Sequence, residues 1–383
     1  MDEDKKKTRK SSGEANERLS AIRFYAIICA CAFSIALLTL GCSSIKQKVE
    51  YPAQYTPGSA TKGLLWLRDH QNTNGGWGKE ANEPLLLGLV LLAYDSHGET
   101  PPSMRFGEST LHALKRACAL HDKKRSHLIL DVAIARYCVT IKIPWLEHIL
   151  GDIVSDIVKR QNPNGKFNYE KDSILKLSND NAFSQSLTLL TLLWAYEGGI
   201  FKDNQEKRKK VRAAIKNGAV YLIQKYYNKS LGGFKLTSEN DDISALATAA
   251  SSYALIRYGL IRTPEVRGSL KSIANYIDGE VINPTLDFPI LSLRFITSDI
   301  YYSSVHAGGR REWSRWNKKY TKFLLSTQLE NGAWNFMKDA HLGFQFTDRD
   351  NTIYSTSIAD LMLESYWLFT PEISTVYRND IDE

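Results

Sequence analysis

The chain has 383 residues, of which 43% are hydrophobic and 11% aromatic, so it can bury a large core in one big domain or two small ones. Lysines and arginines exceed aspartates and glutamates by 49 − 42 = 7, and seven of the basic residues precede residue 24. The remainder is only weakly basic, with scattered pairs such as Arg310 and Arg311. This distribution argues against nucleic-acid binding, which needs a basic stripe or a recognition motif.

The N-terminal segment from Phe24 to Cys42 contains no charge over 19 residues. As a helix it would be about 28 Å long, just enough to span a hydrocarbon core. The basic residues before it favour a cytoplasmic N-terminus, so the rest of the chain is expected outside the cytoplasm.

The end of this segment, Gly41-Cys42, resembles a bacterial lipoprotein signal, which implies lipidation of Cys42. An uncleaved signal anchor and ordinary cleavage are the alternatives, and all three export the chain. We therefore divide the chain into an n-region (1–23), a hydrophobic segment (24–42), a linker (43–58), a repeat domain (59–371) and a C-terminal tail (372–383).

A short pattern, Gln-x-x-x-Gly-x-aromatic, recurs along the body. Glycine permits a turn that is closed to other residues, the glutamine can bond free carbonyls at a helix end, and the ring can close the gap between helix pairs. The copies are Gln71, Gly75 and Trp77; Gln161, Gly165 and Phe167; Gln328, Gly332 and Trp334; and a looser copy with Gly233 and Phe234.

Apolar periodicity and stop signals predict about twelve helices. We place them at 59–71, 84–95, 104–120, 127–140, 145–161, 180–197, 206–226, 241–258, 264–278, 287–303, 310–328 and 351–369. The second helix of each pair is apolar nearly all round, whereas the first has a charged face. The sequence therefore predicts an all-α fold, an α6/α6 toroid with six inner helices inside six outer ones.

The repeated units resemble the QW repeats of squalene and other terpenoid cyclases, and the helix count is similar to that of protein prenyltransferase β subunits. The resemblance covers roughly Lys62 to Pro371. The chain also resembles exported bacterial prenyltransferase and squalene-oxidase repeat proteins, through Trp316-Asn317 and the run from Tyr354 to Pro371. A shared fold does not by itself establish chemistry.

In such a toroid the inner helices begin at one end, and their N-termini contribute free N–H groups and partial positive charge to a central mouth. Polar residues near these predicted starts are the candidates for a site. They are Asp180, Asn181, Asp241, Asp242, Asp287, Asp348, Asp350 and Asn351.

The segment from Glu239 to Ser244 is similar to the Asp-x-Asp-Asp-Thr-Ala acid motif of class II terpene cyclases. The resemblance implies Asp241 as a proton donor with Asp242 beside it and Glu239 in place of the leading aspartate. Such an acid needs a pKa raised by burial. The alternative interpretation is that Asp241 or Asp242 caps an inner helix.

The cysteines and histidines of the sequence give little support for a metal site or a disulfide framework. Protein prenyltransferases use an Asp-x-Cys pair and a later histidine for zinc, and the only Cys/His cluster here combines Cys118 and His121 with His112 and His127. We predict no metal site and no cofactor. Cys118 and Cys138 are expected as two buried helical thiols, with one bridge between them as the alternative.

The sequence favours a membrane-tethered, extracytoplasmic toroid that binds an apolar or amphipathic ligand, such as a lipid or isoprenoid, or a partner, in its central cavity. A cyclase-like or transferase enzyme using Asp241 is one alternative, and it requires that residue buried in an apolar cavity. An exported polysaccharide-acting enzyme is another, and a glycan ligand requires an open groove with exposed rings. Whether the protein is an enzyme stays open.

Overall fold

A computed structural model describes residues 58–79, 81–122, 127–168, 180–278, 290–336 and 346–366. All of them belong to one compact unit, Tyr55–Glu383. The predicted hydrophobic segment with Cys42, and the candidate Asp287, lie outside the described residues.

Twelve α-helices form in the described part of the chain, as predicted. They are α1 Gly58–Asp69, α2 Glu83–His97, α3 Gly107–Asp122, α4 Leu128–Thr140, α5 Pro144–Arg160, α6 Ala182–Glu197, α7 Gln205–Tyr226, α8 Ala245–Tyr258, α9 Pro264–Asp278, α10 Ile290–His306, α11 Arg310–Thr327 and α12 Asp348–Leu363. A short antiparallel pair, β1 Tyr227–Asn228 and β2 Gly233–Phe234, and a 3₁₀ turn, Glu364–Tyr366, were not predicted.

The even-numbered helices form a closed inner ring, in which each packs against the next and α12 packs against α2. The odd-numbered helices lie outside them, and α1 packs against α12. The predicted α6/α6 toroid is therefore confirmed for the described residues.

Burial follows the sequence pattern that predicted it. Every residue of α6 from Ala182 to Tyr196 is buried, because this helix touches neighbours on all sides. The outer helix α7 buries only one stripe, which includes Val211, Ile215 and Leu222. Removing apolar surface from water on the two kinds of helix drives the ring together.

Local signals fix where the inner helices begin. Asn181 caps α6 by accepting a hydrogen bond from the Ser184 amide at 2.7 Å, and Ser244 caps α8 by accepting one from Ala247. Helix α8 thus begins at residue 245 rather than 241, and the interpretation that Asp241 or Asp242 caps it is wrong. Ser244 takes the role because its hydroxyl lies three residues before the amide it bonds.

Candidate functional site

The repeated turns join neighbouring outer helices. The Gln71 side-chain amide donates to the Gly75 carbonyl at 2.8 Å and to the Ser109 carbonyl of α3 at 2.9 Å. The other two full copies repeat this arrangement: Gln161 bonds Gly165 and Ala214 of α7, and Gln328 bonds Gly332 and Ser59 of α1. The Gln328 copy closes the outer ring.

The turn glycines are required twice over. Gly75, Gly165 and Gly332 have φ of 87°, 92° and 92°, a region that other residues rarely adopt. A Cβ on Gly165 would also lie 2.3 Å from the Asn217 carbonyl oxygen of the next outer helix. The predicted role of glycine is confirmed.

The repeat aromatics fill the space between helices. Trp77 and Trp334 are fully buried, and each indole N–H donates at 2.7 Å to a carbonyl near the end of the preceding outer helix. Phe167 and Phe234 are buried likewise. The copy at Gly233 differs, because Ser272 of α9 bonds the turn carbonyls there in place of a glutamine.

The cyclase-like acid segment lies on the surface. Glu239, Asp241 and Asp242 are all exposed. The backbone carbonyl of Asp241 accepts a hydrogen bond from the Asn228 amide at 3.0 Å. The burial that an alkene-protonating acid requires is therefore not found at Asp241.

The other predicted mouth residues form hydrogen bonds that stabilise the fold, and they do not lie together in one site. Asp180 accepts hydrogen bonds from the hydroxyls of Tyr221 and Tyr226 on α7 and lies 3.4 Å from the Lys166 ammonium. Asn181 is the buried cap of α6. Both side chains bond neighbouring parts of the protein, and neither faces an open cavity at the predicted mouth.

Asp350 closes the ring at the start of α12. It is buried in a capping box with Thr347, and it accepts hydrogen bonds from the Asn82 side chain at 3.0 Å and the Lys79 amide at 3.2 Å. Asp348, two residues earlier, is exposed. Asn351 is buried and donates to the Phe336 carbonyl at 2.7 Å.

Buried charged residues also lie within the inner helices, beyond their N-terminal caps. Asp95 of α2 and Arg136 of α4 form an ion pair at 2.5 Å, and both side chains are buried. The Thr140 hydroxyl donates to Asp95 at 2.7 Å. Such a pair is costly to desolvate unless its geometry is good and its remaining lone pairs are satisfied.

A tryptophan of α6 links this pair to a second one. The Trp194 ring lies 4.8 Å from the Arg136 guanidinium carbon and 4.1 Å from that of Arg257. Arg257 pairs with Glu197 at 2.5 Å and donates to the Tyr302 hydroxyl at 3.2 Å. Two guanidinium groups thus contact one aromatic ring, a favourable cation–π arrangement when desolvated.

Arg294 of α10 is a third buried guanidinium. It donates to the Ser298 hydroxyl and bonds the Tyr253 side chain. Unlike Arg136 and Arg257, it takes part in none of the ion pairs formed by the described residues. Burial, aided by the nearby Arg136 charge, lowers the pKa of Arg294.

A buried carboxyl lies one turn further along α10. Asp299 accepts a hydrogen bond from the Ser252 hydroxyl, and its other oxygen has no partner among the described residues. Burial raises the pKa of Asp299 well above its usual range, against the smaller opposing effects of the Ser252 hydrogen bond and the Arg294 charge.

Arg136, Trp194 and Arg294 reach a small cavity between the inner helices, with a volume of about 30 Å³. Arg136, Trp194, Tyr253 and Arg294 are part of its lining, and the surface they and their neighbours present to it is nearly all apolar. The rest of the lining is aliphatic apart from one phenylalanine: Leu89, Leu92, Ile129, Val132, Leu187, Leu190, Leu291, Phe295 and Leu361. Sequence reasoning missed this cluster, although single charges inside otherwise apolar helices were the signal.

Other side-chain clusters carry no evident site. Within the described ranges no three His, Cys, Asp or Glu side chains are placed to hold a metal ion. Cys118 and Cys138 are both free thiols, the first half-buried and the second buried. Tyr302 and Trp316 are buried in the core, and the Trp316 indole donates to the Thr297 hydroxyl at 3.0 Å. None of the helices in the described part of the chain is long and apolar enough to cross a bilayer.

Comparison with known proteins adds to the fold only. No protein-family profile matches the chain, and no curated protein matches its sequence. Among solved structures it is similar to the α-1,6-mannanase GH76A from Salegentibacter sp. HEL1_6, with 13% identity and a TM-score of 0.59 over 81% of this chain and 99% of that one.

Two further neighbours have the same fold. A possible GH105 family member from Salmonella enterica has 11% identity and a TM-score of 0.53, over 83% of this chain and 98% of that one. The type II terpene cyclase MstE from Scytonema, in complex with geranylgeranyl dihydroxybenzoate, has 12% identity and a TM-score of 0.51, over 81% and 97%. These similarities support the predicted α/α-toroid fold.

Proposed function

We propose that this protein is an exported, membrane-tethered toroid that binds an amphipathic anion on its axis. The anionic group would lie between Arg136 and Arg294, and the apolar part against the leucines of the inner ring. The observation that carries the proposal is Arg294, a buried guanidinium without a carboxylate partner among the described residues, which lines a cavity with mostly apolar walls. The tether is proposed from the uncharged segment 24–42 alone.

The electrostatics favour an anion at this position. A buried charge is costly unless it is paired, and here a second guanidinium, that of Arg136, raises the cost. The lowered pKa of Arg294 expresses the same cost. A carboxylate or phosphate would offset it through the guanidinium fork, and the Tyr253 hydroxyl adds a further hydrogen-bonding group.

The shape of the cavity limits the ligand. A volume of about 30 Å³ accepts a group the size of one or two waters. A longer apolar chain therefore requires Leu89, Leu92 and their neighbours to change rotamer. This favours a compact head group with a single flexible chain over a bulky ring system.

The test is native mass spectrometry of the full chain in mild detergent, after incubation with palmitate or farnesyl phosphate. We expect wild type to retain the anion and Arg294→Met to lose at least tenfold in affinity, since a charge-assisted hydrogen bond contributes about 1.5–3 kcal/mol. Arg267→Met, on the outer helix α9, is the matched control and should bind like wild type. Equal retention by both variants would overturn the proposal.

Fold loss is separable from ligand loss. Because Arg294 is a buried cation that forms no ion pair with the described residues, Arg294→Met should unfold thermally no earlier than wild type. If a bound anion changed mass during incubation and the change vanished in Asp299→Asn, the toroid would be an enzyme with a buried acid rather than a binding protein.

A polysaccharide-acting enzyme is the second candidate. One observation favours it: Asp241 and Asp242 are adjacent and exposed, and in a neighbouring toroid, the mannanase above, a variant with two adjacent aspartates replaced is inactive and binds α-1,6-mannotriose. Release of oligosaccharides from α-1,6-mannan by wild type, but not by Asp241→Asn or Asp242→Asn, would establish it. If wild type releases no oligosaccharides, binding of an amphipathic anion stays the proposed function.

A further inference from the structure

The outer ring is divided into a basic and a neutral half. The helices α7, α9 and α11 contain 15 lysines and arginines and four aspartates and glutamates, a difference of 15 − 4 = 11. The helices α1, α3 and α5 contain six of each, a difference of 6 − 6 = 0. The weak net charge of the whole chain conceals this asymmetry.

The basic half presents its charges to solvent. We call the outward faces of α7, α9 and α11 the basic arc. Its exposed cations on α7 and α11 are Lys207, Lys209, Lys210, Lys216, Lys225, Arg310, Arg311, Arg315, Lys318 and Lys322. The acidic residues on these two helices are Glu206, which pairs with Lys210 at 2.7 Å, and Glu312.

Helix α9 lies between α7 and α11 and exposes Arg267 and Lys271, but it also contains Glu265 and Asp278, so the excess positive charge of the arc lies on α7 and α11. Helix α9 packs against α8, α10 and α11, and Ser272 of α9 bonds the turn that follows α7. Helix α7 alone has 22 residues and is about 33 Å long. Like charges gathered over such a face produce a field that attracts an extended anionic partner.

The position where the described chain begins favours a bilayer as that partner. Gln328, at the end of α11, donates to the Ser59 carbonyl at 2.9 Å, so a chain leaving the body at Gly58 leaves it beside α11. Residues 43–57 can reach at most about 50 Å even when fully extended. A tethered body would thus keep the basic arc within reach of the lipid surface.

We propose that the basic arc lies against an anionic lipid surface and orients the toroid on it. The interaction is separate from ligand binding on the axis, and it rests on the proposed tether only for proximity to the bilayer. Each lysine or arginine near an anionic surface contributes about 1 kcal/mol, which is about fivefold in the binding constant. Several exposed cations acting together therefore suffice to hold the body on the surface.

The test is lysine acetylation of the full chain, followed by mass spectrometry, in vesicles of phosphatidylcholine alone or with about one-third phosphatidylglycerol. Lys209 and Lys318 report on the basic arc. Lys115 and Lys159, exposed on the neutral half, are internal controls in the same sample. We expect phosphatidylglycerol to slow acetylation of the first pair at least fivefold, and of the second pair not at all.

Variants and salt sharpen the test. Lys209→Gln with Lys318→Gln should lower the binding constant of the surface-bound state about 25-fold, measured as lost protection of Lys216 and Lys322. Lys115→Gln with Lys159→Gln should leave that protection unchanged. Molar salt, with a Debye length of about 3 Å, should abolish it in wild type.

Two results would overturn the proposal. One is equal acetylation of all four lysines in both kinds of vesicle. The other is protection of the arc by short duplex DNA or heparin but not by phosphatidylglycerol, which would assign the arc to an anionic polymer. Flotation with neutral vesicles tests the tether separately, because a chain without a tether does not float with them. In that case anionic vesicles should still protect the lysines of the basic arc from acetylation if the arc binds them.

Discussion

The two ends of the inner helices are built from different interactions. At their N-termini, uncharged caps such as Asn181 and Ser244 bond the first-turn amides, and the repeated turns bond backbone carbonyls. In their C-terminal halves, buried charges such as Asp95, Arg136 and Arg257 form ion pairs between neighbouring inner helices. The first end holds the helices in place, whereas the second gathers groups that stability alone does not require.

The difference also concerns distance along the chain. The sequence pattern of a cap or a repeated turn spans about seven residues, so it is readable from a short stretch of sequence, although the repeat glutamine also bonds a carbonyl of another outer helix. The pair of Glu197 and Arg257 joins residues 60 positions apart, and only the packing of α6 against α8 brings them together. Buried charge is therefore the feature of this fold that depends most on its tertiary structure.

The largest effect should come from breaking a buried ion pair. Arg136→Met leaves Asp95 charged, buried and without its cation, which should lower the free energy of unfolding by about 3–5 kcal/mol in urea titrations. Adding Asp95→Asn should restore most of the loss, because the unpaired charge is then gone. A double variant as unstable as the single one would show that Arg136 contributes packing rather than pairing.

A turn glycine comes next. Gly332→Ala requires a side chain at φ 92° and places its Cβ 2.7 Å from the Lys62 carbonyl oxygen, so we expect a loss of about 2–4 kcal/mol by thermal unfolding. Gly151→Ala is the matched control. It lies within α5 with no atom closer than 3.7 Å, and it should stabilise the protein by about 0.5–1 kcal/mol. A mild effect at Gly332 would mean that the turn can relax.

Most of the fold was predictable from the sequence because its signals are local. Ten of the twelve helices begin and end within three residues of their predicted bounds. Helix α8 begins four residues later because Ser244 caps it, and α12 ends six residues earlier than the apolar pattern suggested, with Glu364 after its last residue.

The site was not predictable in the same way. Candidates were sought at helix N-termini, where Asp180 and Asp350 turn out to bond neighbouring helices and Asp241 is exposed. The buried charges of the inner helices are few in otherwise apolar stretches, and ion-pair partners such as Asp95 and Arg136 come from different helices. Single buried charges in inner helices would have been the better guide.

A smaller loss is expected from the repeat glutamines. Gln161→Leu removes two hydrogen bonds, at 3.0 Å and 2.9 Å, that join its turn to α7, so we expect a loss of about 1–2 kcal/mol in urea titrations. Gln224→Leu is the control, because Gln224 is exposed near the end of α7 and should change stability by less than about 0.5 kcal/mol. Equal effects would show that the repeat amide is not needed to join the outer helices.

The smallest expected change has the opposite sign. Asp360 of α12 is fully buried facing Gly63 of α1, and neither carboxyl oxygen has a hydrogen-bond partner among the described residues. Asp360→Leu removes an unsatisfied polar group at similar volume, so it should stabilise the protein by about 1 kcal/mol near pH 5. This would distinguish Asp360, which has no partner, from the paired charges around the axis.

The pH dependence of that gain tests its cause. Burial, aided by the nearby Glu364, raises the pKa of Asp360 well above its usual range, so the folded state keeps a proton that the unfolded state has lost. Stability from this group is complete below the usual aspartate pKa of about 4 and falls as pH rises toward the raised pKa. The advantage of Asp360→Leu over wild type should therefore grow from pH 5 to pH 8, measured by urea unfolding at each pH. An advantage that stayed constant from pH 5 to pH 8 would mean that Asp360 is ionised and paired with a cation in the folded protein.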